Sequence, residues 1–431
     1  MKFNRRTMLK GSALGLLGVS ADSLGKGRAS VDVSATNGSM VNPATNTVST
    51  ATNTCRSTSK NSAVVDISQN STPLVGEVLS APIPFTGSDG QTYLAYELML
   101  TNFTTGPVTI EQLEVINADT GAAIHALDAD EVANRLQPAG RRDTVASFDP
   151  AMTALVFLHV NVDESSDVPE RLIHRVSLKA EAAPPDQQEL VESVGEITVD
   201  LRDVVTVGPP LRGSNYIAAD SFGDAVRHTR ATLPVNGQIW LAQRYAVDYE
   251  QLDAKDRIFD GPREDLESYT IYGEKAIAVA DGTVVKVVDG VPENVPGEFP
   301  EEIILEKADG NAVILDLGCE NYALYAHFQP GSIRVAEGDH VEQGDVLGLV
   351  GNSGNSIAPH LHFHVMNRPL SLASNGLPYL VDSFTILGQT AGTTAFDQAE
   401  ADGQPLAVNR FDPPVESIGT LPLDQIVVDF D

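Results

Sequence analysis

Three histidines alternate with apolar residues late in the chain, in the run Pro359-His360-Leu361-His362-Phe363-His364-Val365. Because alternate side chains of a β-strand point to the same face, a strand here places His360, His362 and His364 on one surface. Imidazole is the commonest metal ligand and the side chain that titrates near neutral pH. The pattern therefore predicts metal binding or proton transfer, with a solvated edge strand as the alternative interpretation.

The composition excludes some partners before any fold is considered. The 431 residues carry 28 Lys and Arg against 59 Asp and Glu, a formal net charge of −31, and only 9 of the 28 cations are Lys. Such a surface repels nucleic acid and anionic membranes. An acidic chain with few lysines also suits a protein that stays hydrated in concentrated salt, so we predict a halophilic host. The length predicts two or three domains.

The first 62 residues have the pattern of an export signal followed by a spacer. Arg5 and Arg6 precede a mildly apolar run, 12–21, that is too short to span a bilayer. This pattern is typical of twin-arginine export, with a frayed basic N-terminus as the alternative. We predict a signal over 1–30, either cleaved or retained as an anchor, and a disordered Ser/Thr/Asn-rich linker over 31–62. The protein is then extracellular or on the cell surface, and no further segment is predicted to span a membrane.

The sequence contains two cysteines, Cys55 and Cys319. Export permits a disulfide, but nothing in the sequence places these two residues together. Two cysteines are too few for a Cys-based metal site, so we interpret both as incidental.

Residues 63–204 predict a β-sandwich. Short alternating apolar runs, broken by Gly, Pro and Asn, predict strands over 93–101, 108–117, 154–162 and 172–180, with one helical turn over 128–136. The histidines of this part, His125, His159 and His174, have no partner at metal-ligand spacing. We interpret them as structural residues.

A connector over 205–231, which contains His228, leads to a second domain over 232–388. An Asp281-Gly282 pair predicts a hairpin over 276–288. Further strands are predicted over 302–307, 312–317 and 322–327, and 253–267 is predicted to be an acidic insertion. The Pro- and Asp-rich tail, 389–431, is expected to pack loosely or to stay disordered.

Several motifs of the second domain resemble, in order and spacing, those of the lysostaphin/LytM-type zinc metallopeptidases. They are GEKAIAVADGTVVKVV over 273–288, Tyr325-Ala326-His327, Glu337-Gly338-Asp339-His340-Val341 with Gly344, the turn Gly351-Asn352-Ser353-Gly354, and Pro359-His360-Leu361-His362-Phe363. The resemblance implies an antiparallel sheet of the duplicated-hybrid-motif type that floors a groove. The fold class expected for the whole chain is all-β.

The resemblance also implies roles for individual residues. His362 resembles the zinc ligand of the His-x-His pair, and Asp248 resembles the carboxylate ligand of the first motif. His327 and His360 resemble the two catalytic histidines, which orient the attacking water and stabilise the oxyanion. The implied cofactor is one Zn²⁺, which polarises the scissile carbonyl and acidifies a water molecule.

Arg244 departs from the family pattern, because it stands four residues before Asp248 where the family has a histidine ligand. A guanidinium keeps its protons and cannot bind a metal. Three outcomes follow: another imidazole, His364 or His228, completes the site; the zinc is held weakly by two ligands; or Arg244 pairs with Asp248 and the groove is metal-free.

These observations predict an exported zinc endopeptidase that hydrolyses peptide bonds, with cell-wall cross-links as the substrate that the resemblance implies. The partner is then a peptide or cell-envelope polymer. Two alternatives stay open: a metal-free groove that only binds such a polymer, and a structural envelope protein whose β-sandwich is the functional part.

Overall fold

The computed structural model describes residues 71–162, 167–224, 227–298, 300 and 304–431. The predicted signal, the predicted linker and Cys55 lie outside the described residues. Among the described residues, none of the helices has the length and apolar character needed to cross a bilayer. These residues are mostly strand, and the prediction of an all-β chain is confirmed.

The N-terminal part is built from ten strands and one short helix. They are β1 (Leu74–Val78), β2 (Phe85–Thr86), β3 (Thr92–Asn102), β4 (Val108–Asn117), β5 (Ala123–Asp128), α1 (Ala129–Ala133), β6 (Leu136–Pro138), β7 (Ser147–Phe148), β8 (Thr153–Val162), β9 (Arg171–Ala180) and β10 (Glu189–Thr198). One sheet has the order β1-β3-β8-β6 with β2 on β3, and the other has the order β10-β9-β4-β5 with β7 on β4. The four strands and the helical turn predicted here are all present.

The first of these two sheets is buried on both faces. Along β3, Leu94 and Tyr96 point into the core that the two sheets share. The residues that alternate with them point to the opposite face. Ala95 belongs to the core of the second domain, and Glu97 is also buried. Because alternate residues point to opposite faces, the outer face of this sheet packs directly against the second domain.

The second domain is organised by one large sheet. Its strands and its helix are β11 (Val205–Val207), β12 (Gly213–Ala219), β13 (Leu233–Val235), β14 (Gln238–Trp240), β15 (Val247–Gln251), β16 (Lys275–Ile277), β17 (Gly282–Val288), β18 (Asn311–Asp316), β19 (Tyr322–Phe328), β20 (His340–Val341), β21 (Val346–Leu349), β22 (Leu361–Met366), β23 (Gly376–Leu377), β24 (Tyr379–Thr390), α2 (Thr393–Asp402), β25 (Val408–Thr420) and β26 (Ile426–Phe430). The order of the large sheet is β11-β24-β26-β12-β15-β22-β19-β18-β17-β20, with β23 on β22 and β25 on β24. The strands β15, β22 and β19 are therefore neighbours in its middle.

Two strand predictions in this domain were wrong. The segment 276–288 is not a hairpin, because β16 pairs with β21 whereas β17 pairs with β18 and β20. The described part of 302–307 contains the 3₁₀ turn Leu305–Lys307 in place of a strand. Residues 304–307 are all exposed, so no alternate burial stabilises a strand there.

The expectation that 389–431 packs loosely was also wrong. This segment forms α2, β25 and β26, and β26 lies between β24 and β12 inside the large sheet. Val427, Val428 and Phe430 are buried. The connector 205–231 likewise contributes β11 and β12 to this sheet, so both segments belong structurally to the second domain.

Phe430 tests whether the C-terminal strand stabilises the fold. The ring is 2% exposed and packs against Tyr216, Tyr249 and Phe384. We predict that Phe430→Ala lowers the free energy of unfolding in urea by about 3–5 kcal/mol, the usual cost of truncating a buried aromatic. Phe103→Ala is the control, because that ring is 69% exposed and its loss should cost less than about 0.5 kcal/mol. Equal effects of the two variants would contradict a core role for β26.

Candidate functional site

The pairing of β15 with β22 brings an acid and an imidazole together at the middle of the large sheet. Asp248 lies directly opposite His362 in the register, and His362 Nδ1 lies 2.8 Å from Asp248 Oδ1. The apolar residues Leu361 and Phe363 of β22 point into the domain core. Their burial fixes which face of the strand carries the imidazoles.

His327 and His360 lie beside this pair. Their ring centroids are 4.8 Å apart, and His327 lies 5.7 Å from His362. His327 is the next-to-last residue of β19 and has a left-handed backbone, φ 67°, which is uncommon for a residue other than glycine. Its amide donates to the carbonyl of Asp309 at 2.9 Å, which anchors this backbone conformation.

Backbone carbonyls define the tautomers of these two rings. His327 Nδ1 lies 2.7 Å from the Ser353 carbonyl, and His360 Nδ1 lies 2.8 Å from the Ala358 carbonyl. A carbonyl only accepts, so each Nδ1 carries a proton. In the neutral rings, each Nε2 is therefore an unprotonated base.

His228 reaches the same carboxylate from the connector. Its Nε2 lies 3.5 Å from Asp248 Oδ2, and its ring meets that of His362 edge to face at 5.0 Å. His228 Nδ1 lies 2.9 Å from the carbonyl of Asp220, so it donates there, and in the neutral ring the lone pair is on Nε2.

Arg244 points away from the site. Its guanidinium is 4% exposed and pairs with Glu97 of the β-sandwich, with Nε 3.2 Å from Oε1 and Nη2 on Oε2. Nη2 also donates to Ser80 Oγ at 3.2 Å. Burial alone would lower the pKa of Arg244, but the Glu97 carboxylate raises it. The suggested pairing of Arg244 with Asp248 is therefore wrong, because Glu97 neutralises the guanidinium instead.

His364 lies behind His362. Its Nδ1 is 2.9 Å from His362 Nε2, and its buried Nε2 has no hydrogen-bond partner among the described residues. Of the two imidazoles proposed to complete the site, the structure brings His228 to the Asp248 carboxylate. His364 instead contacts the far side of the His362 ring.

Burial and the charges of neighbouring side chains determine the protonation states of Asp248 and His327. Burial alone would raise the pKa of Asp248, but the imidazoles of His228, His360 and His362 hold it well below its ordinary value. Burial, followed by the neighbouring imidazoles, holds the pKa of His327 well below its usual range. The acid is thus charged and His327 is neutral at neutral pH.

Two overlapping groups of donors could hold a metal ion. Within each, the ligand atoms lie within 4.8 Å of one another: His228, Asp248 and His362 form one group, and His327, His360 and His362 form the other. The first combines two imidazoles with a carboxylate, a donor set that catalytic zinc sites use while leaving a position open.

Sequence reasoning missed Glu97 and Asp220, which hold Arg244 and His228. Neither residue lies near a histidine motif, so no local spacing could have identified it. A buried acid opposite an arginine in another domain is a tertiary feature, and it becomes visible only when both faces of β3 are known.

Residues 266–374 match the family model of Peptidase family M23. The chain therefore contains an M23 peptidase domain, and the lysostaphin/LytM-type resemblance is confirmed. The matched range includes His327, His360 and His362, whereas Asp248 lies before it.

Two curated relatives and one solved structure illustrate the similarity. Endolysin 2638A of Staphylococcus phage 2638A is 36% identical over 93 residues, which cover 21% of this chain and 16% of the endolysin. The peptidoglycan DD-endopeptidase ShyA of Vibrio cholerae is 28% identical over 186 residues, which cover 40% of each protein. The catalytic domain of the antimicrobial peptidase lysostaphin from Staphylococcus simulans has 22% identity and a TM-score of 0.20, over 38% of this chain and 86% of that chain. The chain spans less than half the length of either curated relative.

The buried pair of Arg244 and Glu97 gives a stability prediction. Arg244→Ala leaves an uncompensated carboxylate in the interior, so we expect the free energy of unfolding to fall by about 3–5 kcal/mol. The double variant Glu97→Met with Arg244→Met should lose less than Arg244→Ala, because no charge is then left buried alone. Urea unfolding measures both.

Arg175→Ala is the matched control, since it removes an arginine from a largely exposed pair with Glu114. Exposed pairs contribute little, so this variant should unfold almost like the unaltered protein. If Arg244→Ala were equally mild, the buried pair would have no structural role.

Proposed function

We propose that this protein is an exported zinc-dependent endopeptidase that hydrolyses short peptide cross-links of a cell wall. The observation that carries the proposal is the grouping of His228, Asp248 and His362 donors within 4.8 Å of one another. The pair His327 and His360 lies next to this group, so a metal and two bases share one face of the sheet.

The donor chemistry supports zinc at His228, Asp248 and His362. Each imidazole has one nitrogen turned towards the carboxylate and the other engaged behind it, on the Asp220 carbonyl for His228 and on His364 for His362. Such outer contacts orient ligating imidazoles and fix their tautomers. His228 thereby takes the place that Arg244 cannot fill. A bound zinc ion supplies Lewis acidity, which polarises the scissile carbonyl and lowers the pKa of a water molecule.

His327 and His360 supply the proton chemistry. With each Nδ1 bound to a carbonyl, Nε2 is the atom that accepts a proton from the attacking water. The depressed pKa of His327 keeps that ring neutral before the reaction. After it takes a proton, an imidazolium can stabilise negative charge on the substrate oxygen or return the proton to the leaving amine.

The substrate class follows from the relatives. One curated relative is an endolysin and the other is a peptidoglycan DD-endopeptidase. We therefore propose a wall-type peptide cross-link as the substrate. The alternative function, a metal-free groove that only binds a polymer, requires Arg244 to occupy the site. Arg244 pairs with Glu97 instead.

Metal binding and hydrolysis can be separated by two kinds of variant. We expect the chelator-stripped chain to take up one zinc ion, measured by competition with a chromophoric chelator. His228→Ala and His362→Ala should weaken zinc binding more than about 100-fold, beyond the effect of losing an outer contact. His327→Ala should keep zinc and lose about 10²–10⁴-fold in hydrolysis of a cross-linked wall peptide, the usual contribution of a general base.

His340→Ala is the control, because His340 is an exposed imidazole on β20 and its variant should keep both properties. If His327→Ala lost zinc while His228→Ala kept it, the metal would belong to the other group of three histidines. No hydrolysis of wall peptides by the zinc-loaded protein would contradict the proposed activity.

Export by the twin-arginine route is part of the proposal and has its own test. Replacing both Arg5 and Arg6 by lysine should leave the protein in the cytoplasm when cell fractions are compared by immunoblot. Arg28→Lys lies in the same predicted signal but outside the arginine pair, so it should not change export. Unchanged export of the double variant would rule out this route.

A further inference from the structure

His228 lies in a segment outside the named strands of the large sheet. The ligand segment, defined as the described residues 220–224 and 227–231, follows β12 and contains no named strand or helix. Asp248 and His362, in contrast, are fixed opposite each other by strand pairing. Between β12 and His228, backbone pairing holds the segment at Phe222, and side-chain contacts of the segment hold the residues closer to His228.

Contacts within the second domain hold the beginning of this segment, where Phe222 forms an isolated β-bridge with Leu423, and also reach His228. His228 Nδ1 donates to the Asp220 carbonyl, and Arg227 binds the Asp220 carboxylate, with Nε 3.1 Å from Oδ1. Arg227 also lies 3.5 Å from Asp397 of α2. These contacts hold the ring of His228 relative to its own segment and towards α2.

Further contacts come from the β-sandwich and lie on both sides of His228. On the C-terminal side, Arg230 Nη1 donates to the carbonyl of Asn134 at 2.8 Å. On the N-terminal side, Arg135 binds the Asp224 carboxylate, and His159 Nδ1 lies 3.4 Å from it. Arg230 Nη2 also donates to Asp224 Oδ1 at 2.7 Å, so one ion pair joins the two ends of the segment.

Phe222 adds an apolar anchor to the same surface. Its ring packs against Phe85, Tyr93 and His159 of the sandwich, with centroids 4.9, 5.5 and 5.1 Å away. It also stacks on Tyr245 at 5.8 Å, so the sandwich, the ligand segment and the chain next to Arg244 meet at one place.

We infer that the β-sandwich is the positioning element of the metal site, and that Asp224 and Arg230 are positioning residues that hold His228 against Asp248. The inference rests on the proposed zinc function. A ligand held in place before the metal arrives loses little conformational freedom on binding, whereas a free segment loses much. None of the described residues of the sandwich belongs to either donor group, so the sandwich sets the affinity of the site through the position of His228.

The arrangement at Arg244 is part of the same interface. The arginine that replaces the expected ligand binds the sandwich through Glu97, while the ligand segment binds the sandwich through Arg135 and Asn134. Docking of the sandwich therefore holds the guanidinium of Arg244 away from the site and holds the imidazole of His228 in position.

A double-mutant cycle in the full-length chain tests this inference. Arg230→Ala and Asp224→Ala should each weaken zinc binding at least about tenfold, as loss of an outer contact does. The absorption spectrum of the cobalt(II)-loaded protein should change in the same variants. In a His228→Ala background, Arg230→Ala should have no further effect on zinc affinity, because the residue that Arg230 positions is gone.

Arg230→Lys and Asp224→Asn are the conservative variants, and they should recover part of the lost affinity. They also keep the test decisive if the alanine variants fold poorly, which thermal melting shows. Arg171→Ala is the matched control, because it also removes an arginine from ion pairs, and its partners Asp119 and Glu196 both lie within the sandwich. That variant should bind zinc like the unaltered protein.

The outcomes separate the two proposals. If Arg230→Ala left zinc affinity unchanged, or weakened it equally with and without His228, the positioning role would be overturned while the zinc site stood. If the folded, unaltered chain bound no zinc, the proposed function would fail first, and the positioning role would fail with it.

Discussion

A charged carboxylate cannot remain largely out of water without compensation, and this constraint shapes the centre of the molecule. The side chain of Asp248 is 19% exposed, and three imidazoles surround it, from His228, His360 and His362. Strand pairing places His362 opposite Asp248, and His360 directly precedes β22, whereas His228 comes from a segment outside the sheet. The carboxylate that the fold must compensate is also the centre of the proposed metal site.

The buried pair of Arg244 and Glu97 is a second consequence of the need to compensate buried charges. An arginine close to Asp248 would neutralise the carboxylate and exclude a cation. Glu97 lies on the outer face of β3, where the sandwich packs on the second domain, and it draws the guanidinium away. The sandwich, none of whose described residues belongs to either donor group, thus decides which groups face Asp248.

The features that depend on short sequence patterns could be predicted from the sequence. The strands of the sandwich followed from alternation, and the grouping of His360, His362 and His327 followed from strand geometry and the motifs that resemble the family. The strand partners of β16 and β17 and the burial of 389–431 depend on contacts between distant segments. Predictions made from a turn sequence and from composition were therefore wrong for both. His228 was only one of two possible ligands in the sequence, because its approach to Asp248 depends on the docking of the sandwich.

Anomalous diffraction from crystals soaked in zinc measures the central claim most directly. The account predicts one peak bound by His228, Asp248 and His362 at about 2.0–2.2 Å, the usual zinc distances to nitrogen and oxygen, with the guanidinium of Arg244 still on Glu97. A peak among His327, His360 and His362 alone, or Arg244 turned onto Asp248 with no peak, would contradict it.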